Sequence, residues 1–225
     1  MKDFEILELL NDRMSIVHKR EPKLIIVTGA IAVGKTTFAR ALLDYLIERG
    51  HRVMLRTEIA RTLEDEFKLY QGDSTKHAFF FQYAMVQAYH LEMKEIGKLG
   101  RDYDYIILDR THIDTIPFTS AMIPDEDGEI LRILDKKLSE IKFPFDIAKV
   151  IYLKPSCDNM LRRYEIRKLD AQVNKVDGID ENCSDEYLSM IYDYYDLCMD
   201  NMYPSYTRVI NDNEGYDEIL NQLFV

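Results

Sequence analysis

The stretch that most constrains this chain is an apolar run emptying into a glycine loop. Lys23-Leu24-Ile25-Ile26-Val27-Thr28 is followed by Gly29-Ala30-Ile31-Ala32-Val33-Gly34-Lys35-Thr36-Thr37. The run is short, continuous and rich in β-branched residues, which predicts a strand buried on both faces of a parallel sheet. The loop fits G-x-x-x-x-G-K-[ST], and the following residues predict a helix. Glycines let backbone N–H groups approach phosphate oxygens, and the helix N-terminus adds a favourable dipole. In such a loop Lys35 reaches the β- and γ-phosphates and Thr36 offers its hydroxyl to Mg²⁺. A chance match in a chain of this length is expected roughly 0.01 times. Gly29, Ala30, Ile31, Ala32, Val33, Gly34, Lys35, Thr36 and Thr37 are therefore the candidate ATP-binding residues.

The rest of the chain alternates in the same way. Strands are predicted at Arg52–Arg56, Tyr105–Leu108, Ala148–Leu153 and Thr207–Ile210. Helices are predicted at Thr36–Arg49, Glu58–Leu69, Lys76–Leu99, Glu129–Ile141, from Ser156 to Lys168, at Ser184–Asn201 and at Tyr216–Phe224. About five strands separated by helices give an α/β fold, a parallel sheet covered on both faces. Residues 1–22 are expected to form a helical extension and residues 23–225 a single domain, with a lid at about 162–183. Ligands of such sheets bind beyond the carboxyl ends of the strands.

Composition narrows the function. The 225 residues carry 29 basic and 40 acidic side chains, a net charge of −11. That balance argues against a nucleic-acid polymer, whose phosphates demand clustered Lys and Arg, but leaves room for a local anion pocket. No apolar stretch is long enough for a membrane span, and no secretory leader pattern is read at the start. Three cysteines without a C-x-x-C pair suggest reduced thiols in the cytoplasm. The five histidines lack metal-ligand spacing.

Several further residues carry candidate chemistry. Asp109 ends the third strand and can hold Mg²⁺; Arg110 beside it can stabilise charge on a transferred phosphoryl group. Glu58 follows the second strand, where a carboxylate can orient and deprotonate an attacking hydroxyl. It would repel a phosphorylated acceptor, which favours an uncharged alcohol. Gln82 sits in the aromatic run Phe79-Phe80-Phe81-Gln82-Tyr83; an amide suits a nucleobase edge, though by spacing alone such a segment is more often a core helix with one amide facing solvent. Arg163 and Arg167 share a helix face, with Arg162 bordering them, and can close over a triphosphate.

Together these segments resemble the deoxynucleoside kinase family, within the P-loop kinase group that includes thymidylate kinases. Tyr70 followed a dozen residues later by Gln82 is similar to the family's sugar-contacting tyrosine and base-reading glutamine. Asp109-Arg110-Thr111 is similar to its acidic-Arg-Ser motif, Leu161 to Arg167 to its lid, and Glu181 to Leu188 to the stretch carrying a sugar-contacting glutamate. The resemblance spans roughly residues 23–215. It implies ATP- and Mg²⁺-dependent phosphorylation of a nucleoside 5′-hydroxyl, with Glu58 as base, Lys35 and Arg110 as catalytic cations, Thr36 and Asp109 at the metal, and Tyr70, Gln82 and Glu181 on the substrate. It also implies a homodimer. Ile59 replaces the family's usual proline and Leu169 an expected arginine, and Asp170 and Glu181 stay open as alternative sugar contacts. Thymidylate-type or nicotinamide-riboside-type kinases, and a regulatory ATPase without a small-molecule acceptor, are the competing readings.

Overall fold

The computed structural model of the protein describes residues 21–123, 128–174, 183–212 and 215–224. Of the helical extension expected over 1–22, residues 1–20 lie outside them, and 21–22 are not helical. Five strands form one parallel sheet: β1 Lys23–Thr28, β2 Val53–Arg56, β3 Tyr105–Asp109, β4 Ile147–Leu153 and β5 Thr207–Val209, in the order β2-β3-β1-β4-β5. β1 is central, and Leu24 to Val27 are wholly buried. A strand with neighbours on both edges and helices on both faces has no solvent side, so its apolar run is continuous.

The helices are α1 Lys35–Glu48, α2 Glu64–Gly72, α3 Ser74–Leu99, α4 Thr115–Met122, α5 Gly128–Glu140, α6 Cys157–Asn174, α7 Asp185–Met202 and α8 Tyr216–Leu223. Phe38, Ala39, Leu42 and Leu46 recur at helical spacing on α1 and are buried under the sheet.

Three expected boundaries change. The helix predicted over Glu58–Leu69 is split: Ile59–Thr62 is a single 3-10 turn, and α2 starts at Glu64, its first turn carrying Glu64, Asp65 and Glu66, which suit the N-terminal dipole. The helix predicted to stop at Lys168 runs on to Asn174, because Leu169 and Asp170 contain no breaker. α4 was not expected at all. Its Pro117 falls in the first turn, where the missing N–H has no helical partner to lose.

Candidate active site

The carboxyl ends of β1, β2 and β3 converge on one cavity of about 370 Å³. That lies within the usual 300–1,000 Å³ of a small-molecule site. Its lining includes Glu58, Arg110 and Asp114 at one part, and Tyr70, Gln82, Met85, Phe118 and Met122 elsewhere. Sequence-distant residues meet because parallel strands all deliver their following loops to the same edge.

The phosphate loop folds as its sequence requires. Gly29 has φ +143, and a Cβ there would lie 2.6 Å from the carbonyl oxygen of Leu153. Only glycine allows the loop to leave β1 so close to β4. Ala32 also takes a positive φ, 57°, which turns the backbone within the loop. Lys35 Nζ curls back to donate to Ala30 O at 2.6 Å. Burial, aided by Arg110, lowers the Lys35 pKa from 10.5 to about 8.

Thr36 Oγ1 donates to Asp109 Oδ2 at 2.6 Å, across 73 residues of sequence. Asp109 Oδ1 is buried and has no hydrogen-bond partner among the described residues. A buried carboxylate oxygen without a donor is costly, and burial raises the Asp109 pKa, with Lys35 opposing. A hydroxyl and a carboxylate side by side, one oxygen unmatched, are the hard oxygen donors that suit Mg²⁺. The described residues hold no cluster of three or more His, Cys, Asp or Glu that would form an all-protein metal cage.

Glu58 and Arg110 meet at the other side of the loop. Arg110 Nε lies 2.8 Å from Glu58 Oε1. Glu58 occupies the N-cap position of the 3-10 turn, yet its side chain makes no capping bond; its carboxylate is committed to the arginine instead. Arg110 takes a positive φ of 72°, rare for a branched-free but bulky side chain, with its N–H bonded to Val27 O. This backbone turn ends β3 and swings the guanidinium toward the loop. Nη2 donates to Ala30 O at 3.4 Å and Nη1 donates to the hydroxyl of Tyr195. The Phe118 ring lies under the guanidinium at 4.8 Å. Burial alone would lower the Arg110 pKa, but Tyr195, Glu58 and Asp114 outweigh it and raise the value.

The apolar part of the cavity is built around Gln82, which is 2% exposed. Its amide does not face solvent. Nε2 points at Met122 Sδ, 3.0 Å away, and Oε1 accepts from Thr119 Oγ1 at 3.4 Å. A thioether is a weak acceptor, so this buried amide is poorly satisfied by its protein partners. Tyr70 stacks on Phe81 at 5.5 Å and 18°, and Phe67 packs against both rings. This holds the phenol at the cavity wall, hydrogen-bonded to Tyr187.

The basic residues of α6 are placed differently from one another. Arg163 donates to the carbonyls of Val33 (3.1 Å) and Asn211, and Asn211 Nδ2 donates to Val33 O at 2.7 Å. It braces the phosphate loop from behind. Arg162 and Arg167 are exposed, Arg162 bonding Asn159. Asp170 is exposed at the far part of α6. Glu181 lies outside the described residues, with the rest of 175–182 of the expected lid. Asp114, Tyr195 and Tyr89 were missed in the sequence. Only Asp114 left a trace there, as the fourth residue of the capping box Thr111-His112-Ile113-Asp114.

As a sequence, the chain matches no protein-family model and no curated protein. As a structure, it matches deoxyadenosine kinase from M. mycoides. With dATP bound, that protein superimposes at a TM-score of 0.68 and 19% identity, over 89% of this chain and 98% of the other. The form holding the products dCMP and a flexible dCDP gives 0.67 and 17%, and the dCTP form 0.68 and 19%. The chain has the deoxynucleoside kinase fold. At under a fifth identity, the likeness is one of fold.

Proposed function

We propose that the protein is a deoxynucleoside kinase, transferring the γ-phosphoryl group of ATP to the 5′-hydroxyl of a nucleoside. The observation that carries this reading is the continuity of one cavity from the Gln82 amide to the Glu58–Arg110 pair beside the phosphate loop. Base, sugar and reacting hydroxyl would lie along this one cavity, and among the described residues Arg110 is the one basic side chain in its lining to greet an acceptor phosphate. The bound dATP, dCTP and dCMP of the M. mycoides enzyme support the same class of substrate.

In this mechanism Glu58 orients the 5′-hydroxyl and accepts its proton as the phosphoryl group arrives. Arg110, ion-paired with Glu58 at rest, meets the charge on the transferred group. Lys35, held against Ala30 O, exchanges that carbonyl for phosphate oxygens. Thr36 and Asp109 would hold Mg²⁺, which would supply charge neutralisation to the triphosphate. Gln82 pairs with the base edge, and Tyr70 and Glu181 hold the sugar. Arg167 reaches over the triphosphate from α6, while Arg163 fixes the loop that carries it.

The reading includes a cytoplasmic homodimer: the three cysteines are free thiols, and α3 exposes Phe80 and Leu91, each 65% accessible. The test is ADP formation from MgATP with a panel of deoxynucleosides, ribonucleosides, nucleoside monophosphates and nicotinamide riboside. Stimulation by a deoxynucleoside is the expected result. Stimulation only by a monophosphate or by nicotinamide riboside would overturn it, as would acceptor-independent hydrolysis alone.

A further inference from the structure

We propose that Asp114 is a positioning residue for Arg110, acting through the hydroxyl of Tyr195. Its effect on rate rests on the kinase reading above; the positioning itself rests on geometry alone.

Asp114 is 1% exposed and collects donors from three separate parts of the chain. Oδ1 accepts from Thr28 Oγ1 at the end of β1 and from Tyr195 OH on α7, at 3.1 Å. Oδ2 accepts from Thr111 N at 2.7 Å, Thr111 Oγ1 at 3.2 Å and Tyr203 OH at 3.4 Å. A cap for the short 3-10 turn needs Thr111 alone. The donors from β1 and α7 are surplus to that local task, and they fix the carboxylate in one orientation. Every one of them is neutral. The cation that this buried charge serves is Arg110, whose Nη1 donates to the same Tyr195 oxygen.

Tyr195 therefore accepts from the arginine and donates to the aspartate. Its own hydroxyl is buried and its pKa raised well above the ordinary value, by burial first, so it stays a neutral donor. A direct Arg–Asp pair tends to be bidentate and would occupy two guanidinium N–H groups. The phenol passes the negative charge on through one. Nη1 gives one N–H to Tyr195 and Nη2 one to Ala30 O, while Nε lies 2.8 Å from Glu58 as an ion pair without a hydrogen bond, so each terminal nitrogen keeps a second N–H for a ligand. The relay also holds a guanidinium whose backbone sits at a strained φ of 72°.

Tyr203 supplies the control, because it donates to the same carboxylate but does not touch Arg110. Three variants are compared with wild type: Tyr195→Phe, Asp114→Asn and Tyr203→Phe. The Arg110 Nε–H signal in a ¹⁵N–¹H spectrum, identified by its loss in Arg110→Lys, is expected to move in the first two and to stay in the third. Under saturating nucleoside, Tyr195→Phe should lower kcat by about tenfold or more, in line with the cost of a misplaced group, with KM for ATP within about twofold. Tyr203→Phe should keep kcat within about twofold even where its Tm falls as far. If Asp114→Asn does not fold, Tyr195→Phe carries the comparison alone. An unmoved Arg110 signal in Tyr195→Phe would overturn the proposal, as would equal kcat losses in the two tyrosine variants. If wild type phosphorylates no nucleoside yet the signal moves as expected, the kinase reading fails and the positioning role stands.

Discussion

Substituting Gly29 tests whether the phosphate loop depends on the close passage of β1 and β4. In Gly29→Ala the new Cβ lies 2.6 Å from Leu153 O and 3.0 Å from Val33 Cγ2, at a backbone φ of +143°. The carbonyl belongs to a buried strand and cannot swing aside as a side-chain tip could. Backbone strain contributes about 1–3 kcal/mol, and forced separation of packed groups about as much again. The sum, about 2–6 kcal/mol, is a large part of a typical domain stability of about 5–15 kcal/mol. Gly50→Ala is the matched control. Its φ is +82°, but nothing lies within 4 Å of the added Cβ, so strain alone acts and the expected cost is about 1–2 kcal/mol.

Urea unfolding at fixed temperature measures both variants, and repeating it with saturating MgATP separates folding from binding. A ligand at a hundred times its Kd adds about 2.7 kcal/mol of stability. Gly50→Ala should retain that increment. Gly29→Ala should lose most of it, because the loop amides no longer converge. Equal destabilisation of the two variants, or a full nucleotide increment in Gly29→Ala, would refute the claim that the loop is set by its approach to Leu153.

Glu58→Gln should lower kcat by about 10²–10⁴-fold, the usual worth of a positioned base, while the Kd for ATP measured by calorimetry stays near wild type. Gln82→Leu should have opposite effects on fold and function: urea melts no easier than wild type, since a poorly satisfied buried amide is removed, and a nucleoside KM raised about tenfold or more, the weight of a lost base contact. His112 packs on Phe143, and burial, with Lys142 nearby, lowers its pKa from 6.5 to about 4. The unfolded chain then binds a proton that the folded chain refuses, so this stabilisation is complete above pH 6.5 and is lost as pH falls toward 4. The loss is roughly 3 kcal/mol, and His112→Leu should shed that part of the acid slope in urea melts at stepped pH.

The sheet and the phosphate loop were legible because both are written locally. A buried parallel strand has a continuous apolar run, and the loop has fixed glycine spacing. Glu58 was legible as a residue after a strand, but the helix drawn around it was not there, since Ile59–Thr62 closes only one 3-10 turn. α4 stayed hidden because its eight residues are apolar nearly all round, so no periodicity marks a face. Asp114 and Tyr195 stayed hidden for a deeper reason: they lie 81 residues apart, and a tyrosine in a helix rich in tyrosines has no local sign of a charge relay.

The same distance argument explains how an acidic chain can hold an anionic ligand. Around the loop, the buried Lys35 and Arg110 face the buried Asp109 and Asp114 and the half-buried Glu58, so in this cluster carboxyl groups outnumber cations three to two, in the same sense as the −11 of the whole chain. Its electrostatics do not come from an excess of cations. They come from placing two cations foremost, with Asp114 withdrawn behind Tyr195 and Asp109 turned to Thr36. In low dielectric, position outweighs net count, because the interaction falls with distance and little solvent screens it. On the proposed reading, cations set this deep serve a single triphosphate at the loop rather than a polymer phosphate backbone, which the net charge of −11 also disfavours.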